Sequence, residues 1–286
     1  MILSIFSVIA LNLLGLSSTV QARVNVVFDL GGVFIDKSYK RIRSHVGYKK
    51  MANLVLRGKN IKKLLYDLLN RITLPGELCE EDYLASDHHG SRCPKALLHW
   101  MKGNASGRQI IEAVERYYND EADCGLTEST AMKRIIQGIF DPDLFAKTTN
   151  VYQKALDFLQ ECIDEGYNIY ILSNLDRGSY EAMDAMLPGF FELFDGVVIS
   201  AHVGLMKPNP AIYTYLLDTY KLKPEETVFI DDQQENLNAA ERNGIFPILC
   251  SKSGWWKKSP NFKKVRNRFD EWLAQKEEVL PVYSEA

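Results

Sequence analysis

Three stretches of this chain place reactive side chains just beyond apolar runs, and a fourth presents a lysine in a loop. Asp29 follows the run 24–28, Ser173 and Asn174 follow 167–172, and Asp231 and Asp232 follow 227–230. Lys207 stands in the loop 200–210, just before a helical pattern. Taken singly these features are weak, since an Asp after a strand often caps a helix and paired aspartates often sit on a solvated turn. Taken together they are informative. Carboxylates at 29 and at 231–232 meet a serine and a lysine only if a sheet sets their strand ends side by side, and ligands of open α/β sheets bind beyond those ends. Hard oxygen ligands of this kind suit Mg²⁺, which retains waters and binds phosphate-bearing substrates through a few carboxylates.

The elements that must position these groups are legible as well. The runs 24–28, 167–172, 196–199, 227–230 and 245–249 are apolar and rich in β-branched residues, and read as five buried strands. Between them, Val151, Ala155, Phe158, Leu159, Cys162 and Ile163 share one helical face, with Gly166 where the helix would stop. Further helices are predicted over 179–187, 210–220 and 235–243. Strand and helix alternate, which implies an α/β fold: a doubly wound, Rossmann-like parallel sheet built from 23–36 and 148–286. Residues 37–147 break the rhythm. They hold helical patterns at 61–69 and 110–118 but no convincing strand pair, and read as an inserted helical domain. The tail, with Trp255, Trp256, Phe269 and Trp272, is expected to end in a packed helix.

Residues 1–16 are an apolar run, and Val20 and Ala22 suit the small-residue rule for a cut before Arg23. Residues 1–22 are therefore expected to be a signal peptide. The chain would be exported, periplasmic or secreted, if that segment is removed, and cytoplasmic otherwise. The run is short for a membrane span, so no stable membrane association is expected after cleavage. A composition of 46% hydrophobic and 25% charged residues is globular, and a net charge of -3 without a basic run argues against a nucleic-acid partner. The expected partner is small. Cys162 and Cys250 read as core residues. Cys79, Cys93 and Cys124 leave room for one disulfide in an exported protein.

The order of Phe28-Asp29-Leu30-Gly31-Gly32-Val33, Leu172-Ser173-Asn174, Gly204-Leu205-Met206-Lys207-Pro208 and Phe229-Ile230-Asp231-Asp232 resembles the four motifs of the haloacid-dehalogenase-like hydrolases. The insertion resembles the helical cap that one branch carries between its first and second motifs. The resemblance implies a phosphatase acting on a small phosphorylated metabolite, a sugar phosphate among the candidates. Asp29 would attack phosphorus to form an aspartyl-phosphate, which water then hydrolyses. Ser173 would hydrogen-bond the transferring phosphoryl group, Lys207 would neutralise charge on it, and Asn174 would order the same loop on the substrate side. Mg²⁺ would be held by Asp29, the backbone carbonyl of Gly31 and Asp232, with Asp231 a second ligand or an outer partner and Asn236 behind them.

One position departs from the pattern. Many phosphatases of this family carry a second Asp two places after the nucleophile as general acid and base, and here that place is Gly31. General acid-base catalysis is typically worth 10²- to 10⁴-fold. A good leaving group needs little of it, or a cap group supplies the proton, with His45, Asp87, His88 and His89 as candidates; His99 and His202 read as structural. Three other readings stay open. Displacement of halide from carbon has no use for the acidic pair 231–232. Phosphonate cleavage requires a cap lysine, with Lys49, Lys50, Lys59, Lys62 and Lys63 available. A binding protein that retains the fold without turnover would have no need of Asp29, Ser173, Lys207 and Asp232 together.

Overall fold

The computed structural model describes residues 24–47, 49, 52, 56, 58, 60–85, 92–120, 126–251 and 259–279. The expected signal peptide, Lys50, Lys59, Asp87, His88, His89, Cys124, Trp255 and Trp256 lie outside the described residues. Seven strands are described: β1 (Asn25–Phe28), β2 (Ile35–Lys37), β3 (Thr149–Val151), β4 (Asn168–Ser173), β5 (Gly196–Ile199), β6 (Thr227–Asp231) and β7 (Phe246–Leu249). Five of them form a parallel sheet in the order β5-β4-β1-β6-β7, and these are the five runs predicted as strands.

Side chains along a strand alternate between the two faces of a sheet, and here each face meets a separate core. Val26, Phe28, Ile169, Ile171, Val228 and Ile230 pack beneath helices Gln153–Asp164 and Phe262–Val279, through Phe158, Phe269 and Trp272. Val27, Tyr170, Leu172 and Phe229 pack beneath helices Pro210–Tyr220 and Gln234–Arg242, through Ile212, Leu216 and Leu237. Burial on both faces explains why these strands are continuous apolar runs rather than alternating ones. Each large side chain fully withdrawn from water contributes about 1.5–3 kcal/mol. Cys162 and Cys250 are buried, and the tail helix is packed as expected. Among the described residues no helix is long and apolar enough to cross a membrane.

The insertion has its own core. Helices Tyr39–Val46, Ile61–Arg71, Lys95–Lys102, Gly107–Asp120 and Leu126–Phe140 bury Ile42, Leu68, Trp100, Ile110, Met132 and Phe140 against one another. It is a helical cap on an α/β core. One expectation needs correction at its base, beside a strand pair that the sequence did not announce. Residues flanking the insertion do form a strand pair: β2 and β3 are antiparallel, with Ile35, Asp36 and Lys37 opposite Val151, Asn150 and Thr149. Val151, read as helical, belongs to β3, and the helix starts at Gln153. The Tyr152 hydroxyl donates to Asp36 Oδ2 at 3.1 Å and clamps the two strands together.

Candidate active site

The connection order of the sheet reverses at β1: the chain runs from β1 to β4 and β5 on one side, then to β6 and β7 on the other. A crevice opens at such a switch point, above the carboxyl ends of the strands. Phe28 is in register with Ile171 and Ile230, so Asp29 emerges between Leu172 and Asp231. Asp29, Ser173, Lys207 and Asp231 are all buried there. Residues 29, 173, 207, 231 and 232, far apart in the chain, thus share one crevice.

Lys207 is the hub. Its ammonium is 2.6 Å from Asp231 Oδ2, donates to the Leu172 carbonyl at 2.9 Å and lies 3.0 Å from Asp29 Oδ1. The contact with Asp29 is an ion pair, and among the described residues Oδ1 has no other donor. Burial draws the lysine pKa down, but the charges of Asp231 and Asp29 outweigh it and hold the pKa above the ordinary value. Lys207 is therefore cationic. Asn174 fixes the loop beneath it: its Oδ1 accepts the Lys207 N–H and its Nδ2 donates to the Lys207 carbonyl, both at 2.8 Å. The carboxamide expected on the substrate side is thus committed to the main chain of Lys207.

The two adjacent acids differ in their surroundings. Both oxygens of Asp231 lie 3.1 Å from Asn236 Nδ2, and Oδ1 also accepts the Gln233 N–H at 2.7 Å. Burial, with Asp29 adding to it, pushes the Asp231 carboxyl up against the pull of Lys207. Asp232 instead lies under the turn 31–34. Gly32 has φ +74°, and a Cβ there would overlap the Asp232 carboxylate, so only glycine lets the turn close over it. Asp29, Asp231 and Asp232 each offer an oxygen within 4.8 Å of the others. Lys207 pairs with two of these three carboxylates. The all-oxygen donor set fits a divalent cation of hard character.

Other candidates fall elsewhere. His45 is packed inside the cap, its ring against Gly138 of helix Leu126–Phe140. His99 meets the Asn104 amide at 3.3 Å and His202 packs edge-on to Tyr180, and burial lowers the pKa of both. Lys49, Lys62 and Lys63 are exposed on the cap surface. Cys79 and Cys93 are free thiols, so no disulfide joins them. Sequence reasoning missed the Leu172 carbonyl and the Gln233 N–H. Both are main-chain groups, and no residue type announces them.

Comparison with known proteins agrees with this fold. The family model described as haloacid dehalogenase-like hydrolase matches residues 25–244. Bifunctional epoxide hydrolase 2 of Mus musculus is 32% identical over 157 residues, 52% of this chain and 27% of that protein. This chain thus spans about a quarter of the length of that relative. Sesquiterpene phosphatase astK of Aspergillus oryzae is 29% identical over 148 residues, 51% of this chain and 70% of that protein. A HAD family enzyme of Bacteroides thetaiotaomicron superposes with a TM-score of 0.54 at 17% identity, covering 82% of this chain and 97% of that one. The chain belongs to the haloacid dehalogenase-like hydrolases. Within them it is a hydrolase with a parallel-sheet core and a helical cap.

Proposed function

We propose that the chain is a Mg²⁺-dependent phosphatase of a small phosphorylated metabolite, acting through an aspartyl-phosphate on Asp29. The observation that carries this reading is the carboxylate cluster: Asp29, Asp231 and Asp232 offer oxygens within 4.8 Å of one another, with Lys207 paired to the first two. Displacement of halide from carbon has no use for that cluster. Asp29, Asp232 and the Gly31 carbonyl would hold the ion, while Asp231, with donors on both oxygens, orients Lys207 behind them. Bound there, Mg²⁺ would offset carboxylate charge and polarise the phosphoryl oxygens. The Aspergillus relative is named as a phosphatase. The Bacteroides protein is described in complex with magnesium and inorganic phosphate. Both names support the reading.

The chain's own residues divide the work. A carboxylate oxygen of Asp29 attacks phosphorus, the bond to the leaving oxygen breaks, and the phosphoryl group is left on Asp29. Lys207 and Ser173 hold the phosphoryl oxygens as their charge develops. With glycine at position 31 the leaving oxygen takes its proton from water, which suits a good leaving group such as an anomeric phosphate. Water then attacks phosphorus, the bond to Asp29 breaks, and inorganic phosphate leaves. Asn174 acts at one remove, by fixing Lys207.

The test is phosphate release from p-nitrophenyl phosphate and a panel of sugar phosphates, with Mg²⁺ or EDTA, for the chain and for Asp29→Asn. Release that requires Mg²⁺ and vanishes in the variant is expected. Release that survives in Asp29→Asn would exclude the covalent route, and none from any compound by a folded, Mg²⁺-binding chain would exclude the phosphatase.

A further inference from the structure

Cap and core meet where the cap segments 78–85 and 92–103 rest on both loops that carry the proposed phosphate-binding groups. Leu98 of helix Lys95–Lys102 and Ala85 bury Met206, the neighbour of Lys207. On the other flank stands Ser200, fully buried just after β5. Its hydroxyl donates to the Met101 carbonyl in the last turn of the cap helix at 2.5 Å and accepts the Leu175 N–H at 3.0 Å. Leu175 follows Asn174, whose carboxamide braces the main chain of Lys207. One hydroxyl therefore joins the cap to the loop that sets both Ser173 and Lys207.

Two details give this contact two states. The single Ser200 proton has a second acceptor, the Leu175 carbonyl, at 3.4 Å. When the cap withdraws, the proton turns to that oxygen and the donor to the cap is lost. Gly103, at φ +80°, ends the cap helix directly on the core: a Cβ there would come within 2.5 Å of the Ala201 carbonyl oxygen. A larger residue at 103 would lift the helix end away from Ser200.

We infer that Ser200 is a positioning residue that couples cap closure to the loops of Ser173 and Lys207, so that the phosphate-binding groups align when the cap is seated. The kinetic part of this inference rests on the phosphatase reading; the structural part does not. Both are tested in the full chain with Gly103→Ala, which acts from the cap side, and Ser200→Ala, which acts from the core side.

The structural readout is amide hydrogen exchange at Leu175 in Gly103→Ala, a change made far from Leu175 in sequence. Faster exchange there, together with faster exchange in the cap helix, is expected; a loosened cap helix with unchanged Leu175 overturns the inference. Should Gly103→Ala fail to fold, Leu98→Ala loosens the same contact from its apolar side and is read at the same amide. The kinetic readout is inhibition by inorganic phosphate and kcat/KM. Loss of a buried hydrogen bond is worth about tenfold in each. Because both substitutions remove one coupling, the double variant is expected to be no weaker than the weaker single one, and additive losses overturn the inference. A wild-type chain that releases no phosphate would overturn the phosphatase reading alone, and exchange at Leu175 would still decide the coupling.

Discussion

Replacing Gly31 by Asp asks whether the turn after the nucleophile lacks a proton donor. A Cβ at this position meets only Asp29 Oδ2, at 3.9 Å, an ordinary contact, and the backbone there is outside the left-handed region, so the site accepts a side chain. The new carboxyl would stand a few ångströms from that of Asp29, and two like charges at about 5 Å repel by roughly 3 kcal/mol at an effective dielectric of about 20. That repulsion favours the protonated form of the new residue, the form a general acid needs. An alkyl phosphate leaves as a basic alkoxide, so its kcat is expected to rise by about 10²-fold or more, the lower range of general acid catalysis. p-Nitrophenyl phosphate leaves as a stabilised phenolate and is expected to change little. The assay is phosphate release from both substrates at saturating Mg²⁺. Equal gains on the two, or no gain on the alkyl phosphate from a variant that still hydrolyses the aryl one, would refute the view that Gly31 marks a missing acid.

Three further outcomes are expected. Lys207→Met leaves Asp29 facing Asp231 with no ammonium between them and strands the Leu172 carbonyl, so a loss on the order of 3–5 kcal/mol should lower the urea midpoint; an unchanged midpoint counts against the ion-pair account. Gly32→Ala forces a side chain at φ +74° into the Asp232 carboxylate, and isothermal titration should show Mg²⁺ binding weakened by about tenfold or more; wild-type affinity would break the link between the turn and the ion. Lys37, 3.3 Å from the Thr148 hydroxyl, is pulled down by burial to about 8 from its ordinary 10.5, against the attraction of Asp176. The unfolded chain then holds more protons between those values, so this group's contribution to stability rises with pH across that window. Lys37→Met should accordingly melt higher than the wild type at neutral pH, with the advantage shrinking above pH 8 and gone above 10.5. A pH-independent difference would contradict it.

The core was legible because physics writes it into residue types. Strands buried on both faces must be apolar along their length, as 169–172 and 228–230 are, and groups at strand ends must be polar if they are to meet a ligand. That is why Asp29, Ser173, Asp231 and Asp232 stand out in the bare sequence. Lys207 stood out only beside them, since a loop lysine alone carries no signal. The strand pair β2 and β3 did not stand out, because Asp36, Lys37, Thr149 and Asn150 lack the apolar alternation that marks a strand, and each strand has only three residues. Ser200 was equally silent. Its partners are main-chain groups, and the one in the cap is 99 residues away.

The antiparallel pair at the base of the cap has a consequence for how such a chain can change. Lys37 and Thr149 face each other in register, so everything from 38 to 148 leaves and returns at neighbouring points. To the parallel sheet, the whole helical insertion is one long hairpin loop. Loops that close at a fixed pair of strand ends tolerate replacement, because lengthening them changes the closure entropy only slowly. The helical insertion can therefore change in length or in its set of helices while the register of β1, β4 and β6 stays as it is.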